Sequence, residues 1–242
     1  MRYNLDMERA KLLGFDIDKF DFDSAVEYAK SRKGQVVTIN PEMIDYASKN
    51  INFAQIVHQA ELVIPDGIGV QLGLKLVGSN VRRIAGIEFA RRMLEEMKGK
   101  PVAFVGAKSH IIEKAVLNLK NEIPELNVVY VQDGYFNDNE KVLNEVVEKQ
   151  PELLLVALGS PKQEEFIYAL KSKLPNAIMI GVGGSFDVWS GEVERAPEIY
   201  QKMGLEWLYR TVKEPKRFKR IFPTLPLFVL KVLRYGVNDV NR

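Results

Sequence analysis

The sequence predicts an α/β fold: a Rossmann-like, mostly parallel sheet with helices on both faces. Three observations predict it. Six short runs of β-branched and apolar residues recur along the 242-residue chain. Longer segments with helical spacing of apolar residues separate them. The residues just after each run are polar or glycine. Near-continuous apolar strands alternating with amphipathic helices imply a sheet buried on both faces, hence parallel.

Taken in order, the first feature is "FDIDKFDFD", with Asp-x-Asp at Asp16/Asp18 and again at Asp21/Asp23. Such pairs can hold a divalent metal against a nucleotide-sugar diphosphate. The plainer reading makes Asp23 the cap of a helix starting near Ser24. Strands are then predicted over 35–39, 61–64, 102–106, 127–132, 153–158 and 177–182. Helices are predicted over 42–49, 52–60, 68–77, 87–98, 109–121, 138–149 and 162–173. In such sheets the ligand sits beyond the carboxyl ends of the strands. Those ends read Thr38-Ile39-Asn40, Asp66-Gly67, Gly106-Ala107, "QDGYF" with Tyr135, "GSPKQE" from Gly159, and "GVGGSFD" with Gly183, Gly184 and Asp187. Ordinary turn chemistry explains part of this pattern. Convergence of six polar ends on one rim predicts a single cleft for a polar ligand.

Composition narrows the chemistry. The chain has 46% hydrophobic and 27% charged residues, ordinary for a globular protein. It has no cysteine, which excludes disulfides, thiol catalysis and cysteine metal sites. Two histidines, His58 and His110, do not make a histidine zinc centre. The N-terminus lacks the apolar core of a secretion signal, so a cytoplasmic location is expected. No P-loop occurs, and "GIGVQLG" is one residue too long for the dinucleotide fingerprint. Glycines ahead of helices still admit phosphate oxygens to backbone N–H groups.

The net charge of +2 hides an uneven distribution. Arg210, Lys213, Lys216, Arg217, Lys219 and Arg220 face only Glu214 in their stretch, and an apolar, proline-punctuated run follows. The stretch 206–222 reads as two short helices broken at Pro215. Residues 225–233 are too few to span a bilayer, which takes roughly 20. An interfacial helix with a basic rim suits them; an oligomer contact or a helix packed on the core explains the same run. Trp207 and Tyr209 read as packing residues. We therefore divide the chain into an α/β catalytic domain, 1–204, and a basic, apolar appendage, 205–242.

"ELVIPDGIGVQLG" places a lone carboxylate, Asp66, at a strand's mouth between Pro65 and Gly67. It is a candidate base, or a cap for the N–H groups near residue 69. Thr38 and Asn40 flank Ile39, so both point to one face of an extended strand. Asn40 alone also reads as the cap of the helix that Pro41 opens.

Together, "TINPE", "PDGIGV", "RIAGIEF", "VALGSPKQEEFI", "GVGGSFDVWSGEVERAP" and "GLEWLYRTVKEPKRFKR" resemble the WecG/TagA/CpsF glycosyltransferases, glycosyltransferase family 26. The resemblance runs from about Gly14 to Arg220. It implies an inverting, metal-independent, membrane-associated enzyme with no cofactor. Such an enzyme moves N-acetylmannosamine or a related sugar from UDP to a polyprenyl-diphosphate-linked N-acetylglucosamine. It further implies Asp66 as base, with Thr38, Asn40, Arg83 and Gln163 beside it, and Arg210, Arg217 and Arg220 on the lipid diphosphate. The strand-end residues Gly106, Tyr135, Gly159, Gly183, Gly184 and Asp187 are the expected contacts of the donor.

The expected partners are thus a UDP-sugar, the lipid-linked acceptor and the inner face of the cell membrane, with a homo-oligomer compatible and no nucleic acid. The expected polymer is of the teichoic acid type. A transferase using UDP-N-acetylmannosaminuronic acid or UDP-glucose, and a non-catalytic membrane-bound UDP-sugar sensor, fit the same residues.

Overall fold

The computed structural model describes residues 8–197, 199–200, 206, 208–209 and 215–238. A hairpin comes first, β1 (Arg9–Leu12) and β2 (Phe15–Asp18), paired antiparallel. Its two-residue turn, Leu13-Gly14, has φ of 51° and 90°. Two positive values are what the right-handed twist of a tight hairpin demands. The hairpin was not foreseen from the sequence. α1 (Phe22–Arg32) follows, and its cap is Asp21, which accepts from Ser24 N at 2.8 Å. Asp23 instead lies within the first turn, correcting the expected cap by two residues.

The main sheet is built from β3 (Gly34–Ile39), β4 (Leu62–Pro65), β5 (Pro101–Gly106), β6 (Asn127–Gln132), β7 (Leu153–Ala157) and β8 (Ile178–Gly181). Their order is β4-β3-β8-β7-β5-β6 and every pairing is parallel. The connecting helices are α2 (Pro41–Ala47), α3 (Ile51–His58), α4 (Ile68–Leu76), α5 (Gly86–Glu96), α6 (Ser109–Glu122), α7 (Asn139–Lys149), α8 (Lys162–Leu170) and α9 (Ser185–Trp189).

Alternation along the strands splits the core into two faces. Val36, Leu62, Phe104, Leu155 and Ile180 pack under α1, α5, α6 and α9. Val37, Ile39 and Val63 pack under the hairpin, α2, α3 and α4, while Val105, Leu154 and Val156 lie on that same face under α7 and α8. This arrangement positions the site. β3 and β7 lead into helices on one face, and β8, which lies between them, leads into α9 on the other. Chains that leave neighbouring strands in opposite directions open a crevice at their ends.

The last helix, α10, runs Pro215–Tyr235 without interruption through Pro223 and Pro226. Helix does begin at Pro215, but the apolar run continues it rather than forming a separate piece. Phe228 and Val232 are buried on α4 and the hairpin. A Cβ on Gly73 would stand 3.1 Å from Phe228, so α4 and α10 approach closely there. Backbone bonds from Leu13 N to Gly236 O and Gly14 N to Val237 O tie the helix's end to the hairpin turn. Among the described residues, no helix is long and apolar enough to cross a membrane.

Candidate active site

A cavity of about 520 Å³ opens at the carboxyl ends of β3, β4, β7 and β8. Thr38 and Asn40 enter it together from the end of β3. Thr38 Oγ1 lies 3.5 Å from Gly181 O, a weak contact that leaves the hydroxyl available. Asn40 Oδ1 accepts from Met43 N at 3.0 Å, so the capping reading of this residue holds. With its oxygen occupied, Asn40 presents the cleft with Nδ2 donors.

Asp66 follows β4 and lines the same cavity. Its backbone is fixed by Asp66 N to Ile39 O at 2.9 Å, and the preceding Pro65 O accepts from Ile84 N at 2.9 Å. Asp66 does not cap α4. The cap there is Gly67, with no side-chain cap bond. The Asp66 carboxylate lies instead under the influence of the N–H groups of Gly86, at the start of α5, and of Gly67. Gly67 has φ of 85°, a conformation that frees its N–H for this turn and that other residues adopt at a cost.

The electrostatics of Asp66 follow from these neighbours. Burial raises its pKa above the usual carboxylate value, the strongest influence; Arg83 and the two N–H groups oppose it, and Glu206 adds to it. Desolvation outweighs the guanidinium, which makes Asp66 a better base than a solvated aspartate.

Gln163, at the start of α8, is 4% exposed and lies across the end of β8. A Cβ on Gly181 would fall 2.4 Å from Gln163 Nε2, so the strand needs glycine there for the amide to lie flat. Gly159, Gly183 and Gly184 also line the cavity. The structure therefore brings Thr38, Asn40, Asp66, Arg83 and Gln163 together with these three glycines. The other strand-end residues stand outside the lining. Gly106 packs against the backbone of Ala157, Tyr135 is 74% exposed beyond β6, and Asp187 sits in the first turn of α9. Arg210 lies outside the described residues, and Arg217 and Arg220 are placed only as members of α10.

Two of the four N-terminal carboxylates are occupied structurally. Asp18 is fully buried, with Oδ1 2.8 Å from Arg9 Nε and Oδ2 accepting from Val63 N at 2.7 Å. Asp21 caps α1.

Sequence reasoning missed four residues. Glu42 and Gly86 line the cleft. Glu206 lines it too, acts on Asp66, and lies 3.8 Å from Arg195 Nε. Glu164 is buried directly behind Gln163. Each belongs to a stretch already singled out ("TINPE", "RIAGIEF", "GLEWLYR", "SPKQE"), so the pattern contained them without ranking them.

The profile described as the Glycosyl transferase WecG/TagA/CpsF family matches residues 10–242. A Bacillus spizizenii protein named N-acetylglucosaminyldiphosphoundecaprenol N-acetyl-beta-D-mannosaminyltransferase is 36% identical over 212 residues, 86% of this chain and 82% of that protein. A Bacillus subtilis protein of the same name is 35% identical over 215 residues, 87% of this chain and 84% of that one.

Proposed function

The chain belongs to the WecG/TagA/CpsF glycosyltransferase family, and we propose that it transfers N-acetylmannosamine from its UDP-activated form to polyprenyl-diphosphate-linked N-acetylglucosamine, with inversion and without a metal ion. The proposed setting is synthesis of a teichoic acid-type linkage unit. The relatives' names support the sugar and the acceptor. The observation that carries the chemistry is Asp66, a half-buried carboxylate whose pKa is raised by desolvation, facing the switch-point cleft.

In this reading the acceptor hydroxyl attacks the anomeric carbon from the face opposite UDP. Its proton passes to Asp66 as the new glycosidic bond forms. The bond from the anomeric carbon to the diphosphate oxygen breaks, and its electron pair leaves with UDP. Arg83 and donors such as Asn40 Nδ2 and the N–H group of Gly184 would offset the developing charge. Of the Asp-x-Asp carboxylates, Asp18 is committed to Arg9 and Val63 and Asp21 to the α1 cap, which supports metal-independent charge compensation by the chain itself.

Residues 205–242 would serve the acceptor. α10 buries Phe228 and Val232, while Leu227, Leu230 and Leu233 are exposed, and α4 beneath it exposes Leu72 and Leu76. An apolar outer face next to a basic sequence suits peripheral attachment to an anionic bilayer surface, each cation contributing roughly 1 kcal/mol. Arg210, Arg217 and Arg220 would engage the lipid diphosphate, for which guanidinium forks are matched.

The test is a donor screen with a short-chain lipid-diphosphate acceptor, following UDP release and product mass. UDP-N-acetylmannosamine should give the fastest transfer. Faster turnover of UDP-glucose or UDP-N-acetylmannosaminuronic acid would replace the donor assignment, and UDP-sugar binding without release would replace the enzyme by a sensor. Changing Arg217 and Arg220 together to Gln should weaken acceptor use and leave UDP affinity near wild type.

A further inference from the structure

We propose that Glu164 is a positioning residue that fixes the amide of Gln163 so that it offers the cleft a hydrogen-bond donor. The inference rests on the transferase reading for its consequence, and on geometry alone for its substance. Gln163 Nε2 donates to Glu164 Oε1 at 2.7 Å, and Gln163 Oε1 accepts from Gly183 N at 3.1 Å. A backbone N–H can only donate and an ionised carboxylate can only accept, so with Glu164 ionised both clamps select the same orientation of the amide. The clamp on Glu164 is the shorter, and it is charge-assisted.

One Nε2 hydrogen is thereby used and the amide oxygen is occupied. What Gln163 has left for the cavity is its second Nε2–H, whose complement is an oxygen of the bound donor. The flipped amide would aim Nε2–H at another N–H and Oε1 at a carboxylate, two repulsions at once.

The rest of the pocket around Glu164 serves the same end. Glu164 is 2% exposed, and Gln35 on β3, fully buried, donates Nε2–H to the Glu164 backbone oxygen at 3.2 Å. Glu164 Oε2 and Gln35 Oε1 have no hydrogen-bond partner among the described residues. A core that keeps a carboxylate with one oxygen unpartnered is retaining it against stability. Burial raises the Glu164 pKa to about 7, with Gln163 and Ser160 holding it down and Glu165, on the same helix, pushing it up. β3 presents the neutral Gln35 amide to the same pocket.

Two variants separate positioning from mere packing. Glu164→Gln keeps an acceptor for Gln163 Nε2, whereas Glu164→Met removes it and keeps the volume. Glu164→Met should lower kcat/KM about 10-fold, the scale of one buried hydrogen bond, while Glu164→Gln stays within about 3-fold of wild type. The double variant Gln163→Met/Glu164→Met should be no worse than Gln163→Met alone, because the two residues act as one unit.

An arm independent of activity uses the side-chain amide resonances of 15N-labelled protein, with Gln163 assigned by its substitution. They should titrate with a midpoint near 7 in wild type and stay flat in Glu164→Gln. Additive kinetic losses, a Glu164→Gln variant as impaired as Glu164→Met, or a Gln163 resonance indifferent to pH would each overturn the proposal. Absence of transfer by the wild type would overturn the transferase reading instead, and the resonances would still decide the clamp.

Discussion

β4 has an aspartate against each end, one buried and one half-buried. Asp18 reaches its beginning from the hairpin, and Asp66 follows its last residue. Both are desolvated, both have pKa values raised by burial, and both have backbone N–H groups and an arginine nearby. They differ in what remains unspent. Asp18 sits in a dry seam with both oxygens committed, one to Arg9 and one to Val63. Asp66 faces a cavity of about 520 Å³, where water or a ligand can reach it. A perturbed carboxylate therefore marks a functional site only when something other than the protein can use its lone pairs.

Replacement of each residue tests this contrast. The largest effect should come from Asp66→Asn, which removes the base and should cut turnover by about 10²-fold or more. Folding and UDP binding should persist, because an ionised carboxylate held above its usual pKa costs stability rather than adding it. Transfer at most of the wild-type rate, by a variant with unchanged UDP affinity in calorimetry, would remove Asp66 from the chemistry and erase the distinction.

Asp18→Ala should do the reverse, lowering stability by about 2 kcal/mol in urea denaturation and leaving the folded enzyme's turnover unchanged. The loss comes from a buried Val63 N–H without an acceptor, moderated because Arg9 is a third exposed and can turn to solvent. Impaired turnover in the folded fraction would show that the hairpin shapes the site.

Glu164 sharpens the comparison from a third position, dry like Asp18 yet touching the cleft through Gln163. Its folded-state pKa of about 7 exceeds the unfolded value of 4.5. Between those limits the native chain holds more proton than the unfolded one, so this group makes stability fall as pH rises, by at most about 1.4 kcal/mol per pH unit. Glu164→Gln should flatten that slope in melts taken from pH 5 to 8. An unchanged slope would mean that Glu164 titrates normally in the native state.

The smallest expected effect is that of chelation. With Asp18 and Asp21 committed to structure, excess EDTA should change the transfer rate by less than about 2-fold. Activity lost to EDTA and restored by magnesium or manganese would return those acids to the mechanism and dissolve the contrast altogether.

The sheet was legible because its strands are short, near-continuous apolar runs whose meaning depends only on local period and length. The helices were legible too, within a few residues at each end, since capping and turn chemistry are local. Asn40 was readable in both its roles, as the cap of α2 and as a cleft residue, because both follow from its place after a strand and before Pro41. The hairpin escaped because "RAKLLGFDID" is short and charged, and its pairing is completed by the end of α10, more than 200 residues away. The apolar run is also part of the helix that opens at Pro215 rather than a piece of its own. Continuity through Pro223 and Pro226 accompanies the burial of Phe228 and Val232 on α4 and the hairpin, contacts that a local reading cannot see.

By itself the sequence determined the alternation of strand and helix, the polar strand ends, the absence of thiol chemistry and the motif set that marks the family. These are properties of residue type and spacing. Only the tertiary structure decided which strand ends share a cleft, because that follows from the order β4-β3-β8-β7-β5-β6 and from β8 leading to the opposite face from its neighbours. It likewise decided that Asp66 faces the start of α5 rather than capping its own helix, and that Glu164 lies behind Gln163 instead of in solvent. A carboxylate's chemistry depends on which donors and how much water surround it, and those neighbours come from segments far apart in the chain.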